Sequence, residues 1–271
     1  MSLLVQTMIV TVFVFGSHLV AQAQMITAHR GASFDAPENT VTAFELAWKQ
    51  GADAIEGDFY LSADQKIVCI HDKDTLRTAG TKKLVESTSL EDLRMLEYGN
   101  WKDASFRGEP IPTLDQVLAT VPEGKTFVIE LKSDVRIVPF LVDELKRLPV
   151  PEASLLIISF DAPSIARCKE LLPNVRAHWL TSFKLDQTEK MTPTAKEIAA
   201  VVRETKADGV GMKGDVAVID RPFIRELLEG GCPEFHVWTI DDADDAKYFR
   251  SVGAMGITTN RPAYIRGELG D

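Results

Sequence analysis

Short apolar stretches recur along the whole chain, and most are continuously apolar instead of alternating between apolar and polar residues. Continuous apolar character is typical of parallel strands, because helices cover both faces of a parallel sheet. Nine stretches are strand candidates: 25–28, 54–56, 67–70, 127–131, 155–160, 177–180, 209–212, 235–240 and 256–259. The pattern therefore predicts a parallel sheet at the centre of the fold.

Segments with helical spacing lie between most of these strand candidates. In the first segment, apolar residues from Val41 to Trp48 fall on one helical face, with Asn39 or Thr40 as the N-cap and Gly51 as the stop. Further helices are predicted over 137–148, 198–202 and 223–228, and from Leu114 onwards. Strands and helices that alternate over this length predict an α/β fold of the (β/α)8 TIM-barrel type.

Nine strands are one too many for this barrel, and the segment after the second candidate explains the surplus. Residues 59–66 are too short for a crossover helix and contain Ser62-Ala63-Asp64-Gln65, which suits a turn. We therefore predict a β-hairpin in which Glu56 lies opposite about residue 71. Residues 73–112 lack strand signals, and connections this long often form lids or small subdomains. The barrel is expected to be distorted, with a small insertion there.

The N-terminal residues indicate export. An apolar run from Met8 to Phe15 is followed by Ala21-Gln22-Ala23, the small-x-small pattern of a signal-peptidase site. We expect residues 1–23 to be a signal peptide and residues 24–271 to form one domain of a periplasmic or secreted protein. Two alternatives stay open because no Lys or Arg precedes the apolar run. They are an uncleaved membrane anchor and a cytoplasmic protein that starts at Met25.

The net charge and the cysteines restrict partners and chemistry. A formal charge of −10 argues against nucleic-acid binding. A small anionic substrate is still allowed, because a metal ion and a few cations can reverse the field inside one cleft. No feature implies a stable protein partner, and membrane contact is expected only if the N-terminal segment is retained. Cys69, Cys168 and Cys232 are widely spaced and are interpreted as core thiols, with a disulfide between two of them as the alternative.

Acidic residues end two of the predicted strands. Glu56 and Asp58 are two residues apart on a strand and therefore point to the same face. Two buried carboxylates stay ionised most easily when a cation lies between them. Glu130 repeats this arrangement on a second apolar strand, with Lys132 on its face. These acids predict a site for a hard metal ion, and strands that emerge into solvent are the alternative.

Histidines end two further predicted strands. His29 precedes Arg30 after the first strand, and His71 precedes Asp72 after the hairpin. The carboxyl ends of barrel strands line the active-site mouth, so these residues should face the carboxylates. Two histidines supply an acid and a base near neutral pH, as phosphoryl transfer requires, and Arg30 and Lys132 suit phosphate oxygens. A surface His–Arg pair is the alternative interpretation of His29 and Arg30.

The order of these motifs resembles the glycerophosphodiester phosphodiesterase family, a group of phospholipase-C-like phosphodiesterase barrels. The matching stretches are His29-Arg-Gly-Ala-Ser-Phe-Asp-Ala-Pro-Glu-Asn-Thr40, Ala43-Phe44, Gly51-Ala-Asp53, Ile55-Glu-Gly-Asp58, Asp64, His71-Asp72, Leu90-Glu-Asp-Leu93, Glu109-Pro-Ile-Pro-Thr-Leu114, Ile129-Glu-Leu-Lys132, Ser159-Phe-Asp161, Val237-Trp-Thr239 and Gly256-Ile-Thr-Thr259. They run in order from about residue 25 to residue 262, which is nearly the whole chain after the signal segment.

The resemblance implies metal-dependent hydrolysis of a glycerophosphodiester to glycerol 3-phosphate and an alcohol. It implies a Ca²⁺ or Mg²⁺ ion held by Glu56, Asp58 and Glu130, with His29 and His71 as the acid–base pair. The alternatives are a lysophospholipase-D-like phosphodiesterase and an exported protein that binds glycerophosphodiesters without cleaving them. Retention of both histidines and all three acids speaks against the binding protein.

The resemblance also implies supporting roles. Arg30 and Lys132 would contact the phosphate, and Trp238 would form an apolar wall against the glycerol carbons, with simple core packing as its alternative. Glu38 would stabilise the first loop or reach the metal shell, and Asp72 is a candidate supporting group beside His71.

Two positions depart from the family pattern. Asn260 stands where the family commonly has Asp, which is expected to alter local hydrogen bonding and not the metal site. Gly57 stands between Glu56 and Asp58 where a bulky apolar residue is usual, so we expect a bend in the strand or a close approach to its backbone.

Overall fold

The structure, a computed structural model, describes residues 24–148 and 150–270. The predicted signal peptide, residues 1–23, lies outside the described residues, so export stays a prediction. No helix within the described part of the chain is long and apolar enough to cross a membrane.

The elements follow the order expected of a β/α protein. The strands are β1 Met25–His29, β2 Ala54–Leu61, β3 Ile67–Cys69, β4 Thr126–Leu131, β5 Leu155–Ser159, β6 Arg176–Thr181, β7 Lys184–Leu185, β8 Met191–Thr192, β9 Gly209–Lys213, β10 Phe235–Trp238 and β11 Gly256–Thr259. The α-helices are α1 Val41–Lys49, α2 Leu76–Ala79, α3 Leu90–Arg94, α4 Leu114–Leu118, α5 Val138–Arg147, α6 Ala162–Leu171, α7 Ala195–Thr205, α8 Arg221–Glu229, α9 Ala243–Ser251 and α10 Pro262–Leu269.

Eight parallel strands close into a barrel. β1 pairs with β2, and the order continues through β4, β5, β6, β9, β10 and β11, which pairs back with β1. Large side chains such as Phe44, Phe127 and Phe235 are fully buried in the main apolar core. The prediction of a (β/α)8 barrel is confirmed, and all nine predicted strands are present.

The predicted hairpin is present, but its register differs by one residue from the prediction. β3 runs antiparallel to β2 with Phe59 opposite Cys69, and the N–H of Ile70 donates to the Asp58 carbonyl at 2.9 Å. The expected pairing of Glu56 with residue 71 is therefore wrong by one residue. The reason is a three-residue turn, in which Gln65 adopts a left-handed φ of 62°.

Residues 73–112 form the predicted insertion beside the hairpin. They contain α2, α3 and short 3-10 turns. A separate apolar cluster lies between the hairpin and the insertion, formed by Val68, Ile70, Val85, Leu93, Tyr98 and Ile111. The insertion therefore has a small core of its own beside the barrel core.

Inward-facing side chains form layers inside the barrel, each supplied by alternate strands. The strand registers place Thr27, Val128, His178 and His236 in one layer near the middle of the barrel. They place His29, Glu130, Leu180 and Trp238 in a layer at the carboxyl ends of the strands. The candidate residues therefore share the barrel mouth because of strand register.

Some elements carry no clear sequence signal. Sequence spacing does not predict helices α6, α9 and α10 or the small β7–β8 hairpin. Two of the buried positions of α9 are the alanines Ala243 and Ala246, set among charged residues. β7 and β8 are two residues long each, with β7 exposed and β8 half-buried, so neither has a fully buried face that a hydrophobic pattern could reveal.

Candidate active site

Three carboxylates meet at the mouth of the barrel. Asp58 on β2 lies beside Glu130 on β4 in the strand register, and Glu56 lies two residues earlier on β2. One oxygen from each of the three carboxylates lies within 4.8 Å of the others, and all three residues are buried. The structure thus brings together the three residues predicted as metal ligands.

The oxygens of this cluster are incompletely satisfied. Glu56 Oε1 and Asp58 Oδ1 are buried and accept no hydrogen bond. Burial and the neighbouring carboxylates raise the pKa of Glu56 well above its usual range. The same causes raise the pKa of Glu130 to about 7, against the opposing effect of Lys132. Unpaired buried oxygens that repel each other fit a hard cation, whose positive charge would stabilise their ionised forms.

Two cations border the carboxylates. Arg30 Nε lies 3.1 Å from Asp58 Oδ2, and Lys132 Nζ lies 2.8 Å from Glu130 Oε1 and 3.5 Å from Asp58 Oδ1. Burial opposes ionisation of Asp58, but Arg30 and Lys132 outweigh it and lower the pKa of that carboxyl. Arg30 and Lys132, predicted as phosphate ligands, therefore lie at the mouth and also neutralise the acids.

His29 and His71 lie on the same end of the barrel. His29 is paired with Glu56 in the strand register, and its Nδ1 lies 2.7 Å from Asn260 Oδ1. Burial and the nearby Arg30 charge lower the pKa of His29 to about 4, so its imidazole is neutral at pH 7.

His71 has an ionic partner instead. Its Nδ1 lies 2.7 Å from Asp72 Oδ1, and Arg77 Nε donates to Asp72 Oδ2 at 2.7 Å. Partial burial opposes ionisation of Asp72, but hydrogen bonds from Arg77 and His71 lower its pKa to about 2. Asp72 is therefore held as a carboxylate beside the His71 ring.

Glu38 connects the first loop to the insertion. Its carboxylate accepts a hydrogen bond from Arg30 Nη1 at 3.0 Å and two from Arg77, each at 2.8 Å. This geometry favours the role of stabilising the first loop over the alternative of reaching the metal shell. Arg77 was not predicted, because it lies in the insertion, where no strand end marks its position.

Asn39 is a second residue whose role sequence reasoning missed. Its side-chain amide donates to Asp58 Oδ2 at 2.8 Å, and its Oδ1 accepts from the backbone N–H of Asp58 at 3.2 Å. Asn39 has a left-handed φ of 58°, a conformation that Asn tolerates better than most residues. Asn39 follows Glu38 in the matched stretch from His29 to Thr40, and this position was the sequence feature that could have indicated a role in the site. The helix cap is instead Thr40, whose hydroxyl accepts from the Ala43 N–H.

Trp238 ends β10 on the inner face of the barrel. Its ring packs edge-on against Phe160, with 5.5 Å between ring centroids. Its Nε1–H is buried and has no hydrogen-bond partner. Phe160 is 47% exposed, so the Trp238–Phe160 pair extends from the barrel interior to the surface. This position suits an apolar wall of the mouth better than simple core packing.

Gly57 makes a close approach possible, as predicted from its departure from the family pattern. A Cβ at this position would lie 3.1 Å from Phe44 Cζ and 3.2 Å from Cys69 Sγ. The side chains behind β2 therefore pack directly against the backbone that carries Glu56 and Asp58. The three cysteines are free and buried, as the sequence predicts.

Comparison with known proteins identifies the class of this barrel as a phosphoric diester hydrolase. The model of the glycerophosphoryl diester phosphodiesterase family matches residues 29–264. The putative glycerophosphodiester phosphodiesterase YhdW of Bacillus subtilis is 33% identical over 242 residues, covering 89% of this chain and 96% of the relative. The glycerophosphodiester phosphodiesterase of Caldanaerobacter subterraneus is 30% identical over 250 residues, covering 88% of this chain and 94% of the relative. The chain belongs to the glycerophosphoryl diester phosphodiesterase family.

Solved structures agree in fold. A phosphodiesterase of Oleispira antarctica, solved with its product sn-glycerol-3-phosphate, is 25% identical with a TM-score of 0.79, covering 91% of this chain and 97% of that one. A glycerophosphodiester phosphodiesterase of Agrobacterium tumefaciens is 28% identical with a TM-score of 0.71, covering 90% of this chain and 99% of that one.

Proposed function

We propose that this protein hydrolyses glycerophosphodiesters to glycerol 3-phosphate and an alcohol, with a divalent cation held by Glu56, Asp58 and Glu130. The observation that carries the proposal is the buried carboxylate cluster, in which one oxygen of each residue lies within 4.8 Å of the others and Glu56 Oε1 and Asp58 Oδ1 accept no hydrogen bond. The Oleispira antarctica phosphodiesterase, a structural relative, was solved with sn-glycerol-3-phosphate as product, which supports the choice of substrate class.

The carboxylates are hard oxygen ligands, the type that Ca²⁺ and Mg²⁺ prefer. A bound cation would neutralise negative charge on the phosphoryl oxygens as the substrate approaches the transition state. Arg30 and Lys132 would contact the non-bridging oxygens, since both lie at the edge of the cluster and already neutralise carboxylates there. Trp238 and Phe160 would exclude water from one side of the mouth.

The two histidines are suited to opposite proton transfers. His29 faces a neutral amide oxygen and a guanidinium, which favour its unprotonated form. We assign it as the base that takes a proton at Nε2 from the attacking hydroxyl. His71 Nδ1 lies 2.7 Å from the Asp72 carboxylate, an acceptor that can hold the ring in place. We assign His71 as the acid that protonates the departing oxygen. The attacking hydroxyl is either that of the neighbouring glycerol carbon, through a cyclic phosphate, or that of water.

The test is a metal-dependence assay on the purified protein with glycerophosphocholine, glycerophosphoethanolamine and glycerophosphoglycerol. We expect release of glycerol 3-phosphate that stops with a chelator and returns with Ca²⁺ or Mg²⁺. Binding of these compounds without release would identify a binding protein instead. Faster turnover of lysophosphatidylcholine than of glycerophosphocholine would identify the lysophospholipase-D-like alternative.

We further propose that residues 1–23 direct export and that the mature protein is periplasmic or secreted. The support is the apolar run followed by the small-x-small site in the sequence. Mass spectrometry of protein purified from the producing cells tests this, because cleavage after Ala23 would give a chain that begins at Gln24. An intact chain in the membrane fraction would instead identify an anchor.

A further inference from the structure

Asn260, one of the two departures from the family pattern, makes direct contact with a candidate catalytic residue. Its side-chain Oδ1 lies 2.7 Å from His29 Nδ1 and accepts a hydrogen bond from the Ser33 hydroxyl at 2.9 Å. The residue follows β11 directly and projects towards the barrel mouth beside β1. Its side chain therefore lies behind the His29 imidazole.

Asp241 fixes the orientation of this amide. The Asn260 Nδ2 donates to Asp241 Oδ2 at 2.6 Å. The backbone N–H of Asn260 and the Thr259 hydroxyl both donate to Asp241 Oδ1 at 2.8 Å. If the amide were flipped, its oxygen would face a carboxylate oxygen, and two acceptors without a proton repel each other. Only the amide oxygen can therefore face His29.

An amide oxygen can pair only with a protonated ring nitrogen. We propose that Asp241 and Asn260 are positioning residues that hold His29 as its Nδ1–H tautomer, with the Nε2 lone pair directed towards the mouth. The proposal rests on the proposed function only through the role of His29 as a base. The relay from Asp241 through Asn260 to His29 then decides which nitrogen can accept the proton of the attacking hydroxyl.

Exchanging the two side chains gives a sharp test, because the exchange preserves every hydrogen bond. In the double variant Asp241→Asn/Asn260→Asp, the amide oxygen now at position 241 accepts from the Thr259 hydroxyl and the backbone N–H of residue 260. Its NH₂ group donates to the carboxylate now at position 260. That carboxylate still accepts from Ser33 and from His29 Nδ1–H.

Each single variant breaks the relay. Asp241→Asn places two amides side by side, so the amide at Asn260 is no longer held in one orientation. Asn260→Asp places two carboxylates face to face. We expect each single variant to lower kcat by about 10- to 100-fold, the range typical for groups that orient a catalytic ligand, with KM changed less. The double variant should be about 10-fold faster than either single variant.

A spectroscopic measurement tests the tautomer independently of activity. In protein labelled with ¹⁵N-histidine, the signal that disappears in His29→Gln should show a protonated Nδ1 and an unprotonated Nε2. Asp241→Asn should convert this signal to a mixture of tautomers. The inference is overturned if wild-type His29 carries its proton on Nε2, or if the double variant is no faster than the single variants while all three keep the wild-type Tm. If the wild type releases no glycerol 3-phosphate, the proposed function fails, and the tautomer measurement still decides this inference.

Discussion

The barrel contains two groups of histidines, carboxylates and basic residues, one at the mouth and one deeper towards the amino ends of the strands. The deeper group joins His178 and His236, whose Nδ1 atoms lie 2.9 Å apart, to Glu234 and Arg176. Glu234 Oε1 accepts from His178 Nε2 at 2.9 Å and from Arg176 at 2.6 Å. This chain of contacts leads from the buried histidines to Glu234 and Arg176, whose side chains are partly exposed.

The difference between the groups lies in unpaired atoms. In the deeper group, no side-chain nitrogen or oxygen that the structure describes is both buried and without a hydrogen bond. At the mouth, Glu56 Oε1, Asp58 Oδ1 and the Trp238 Nε1–H are buried without one. Both groups contain strongly shifted pKa values, because burial shifts a pKa wherever it occurs. Shifted pKa values alone therefore do not distinguish the two groups, whereas their unsatisfied atoms do.

The largest expected difference between the two groups comes from replacing one carboxylate in each of them by an amide. Glu56→Gln should lower kcat by about 1000-fold or more, since losing a proposed metal ligand should cost more than the 10- to 100-fold typical of supporting groups. The same change should raise the Tm measured in chelator, because burial and the neighbouring carboxylates disfavour the ionised form of Glu56 in the fold, a cost that Gln does not have.

Glu234→Gln is the matched variant in the deeper group. It weakens charge-assisted hydrogen bonds to His178 and Arg176, so it should lower the free energy of unfolding by about 1 kcal/mol, a modest value because Glu234 is partly exposed. Its kcat should match that of the wild type. A gain of stability in Glu234→Gln, or a loss in Glu56→Gln, would contradict the contrast.

The second prediction concerns the space that the deeper histidines need. Gly211 lies against His236, and a Cβ there would fall 2.4 Å from two ring atoms of that imidazole. Gly211→Ala should therefore lower the free energy of unfolding by about 2–3 kcal/mol through overpacking, as measured by urea unfolding. Gly267 in α10 is the control, because a Cβ there meets nothing within 4 Å. Gly267→Ala should stabilise the helix by up to about 1 kcal/mol.

The third prediction separates the groups by pH. Burial lowers the pKa of His178, and burial with the neighbouring His178 lowers that of His236 well below its usual value. In the unfolded chain both residues titrate near about 6.5. As the pH falls below that value, the unfolded chain binds protons that the folded chain does not, so stability is lost.

At pH 5 the free energy of unfolding should be lower by about 2 kcal/mol for each histidine that stays neutral in the fold. Urea unfolding at pH 7.5 and pH 5 measures it. His29 at the mouth contributes in the same range because its pKa is about 4. His236→Gln should reduce the loss, and an equal loss in that variant would place its origin elsewhere.

The smallest predicted effect concerns Arg77, which connects the mouth to the insertion. The deeper group has no contact of this kind with the insertion among the interactions described above. Arg77→Met removes the hydrogen bonds to Asp72 and Glu38. We expect kcat to fall by about 10-fold, at the low end for an orienting group, because Arg77 is partly exposed. The Tm of the barrel should not change. A larger fall of kcat in Asp72→Asn than in Arg77→Met would support the view that Arg77 acts on His71 through Asp72.

The carboxylate cluster could be predicted because its geometry depends on strand periodicity. Glu56 and Asp58 share a face whatever the register, and Glu130 reaches them because parallel strands end on the same side of a barrel. The hairpin register could not be predicted to the residue, because its left-handed turn position holds Gln65 and not the glycine that would have marked it.

Residues outside the strands were harder to place. Arg77, in the four-residue helix α2, contacts Asp72, and Asp241, in the loop after β10, contacts Asn260. No sequence period relates either residue to a distant strand. The deeper histidines, His178 and His236, lie on predicted strands, but nothing in the sequence indicates that they face each other across β9. Gly209 and Gly211 provide the space that makes this contact possible.

The insertion has its own apolar cluster, separate from the main core, yet Arg77 within it holds both Glu38 and Asp72. We therefore expect activity and barrel integrity to depend on two separate cooperative units. On heating, local unfolding of residues 73–112 would release the partner of His71 while the eight strands stay paired. The temperature at which the protein stops turning over substrate should then lie below the temperature at which its barrel melts.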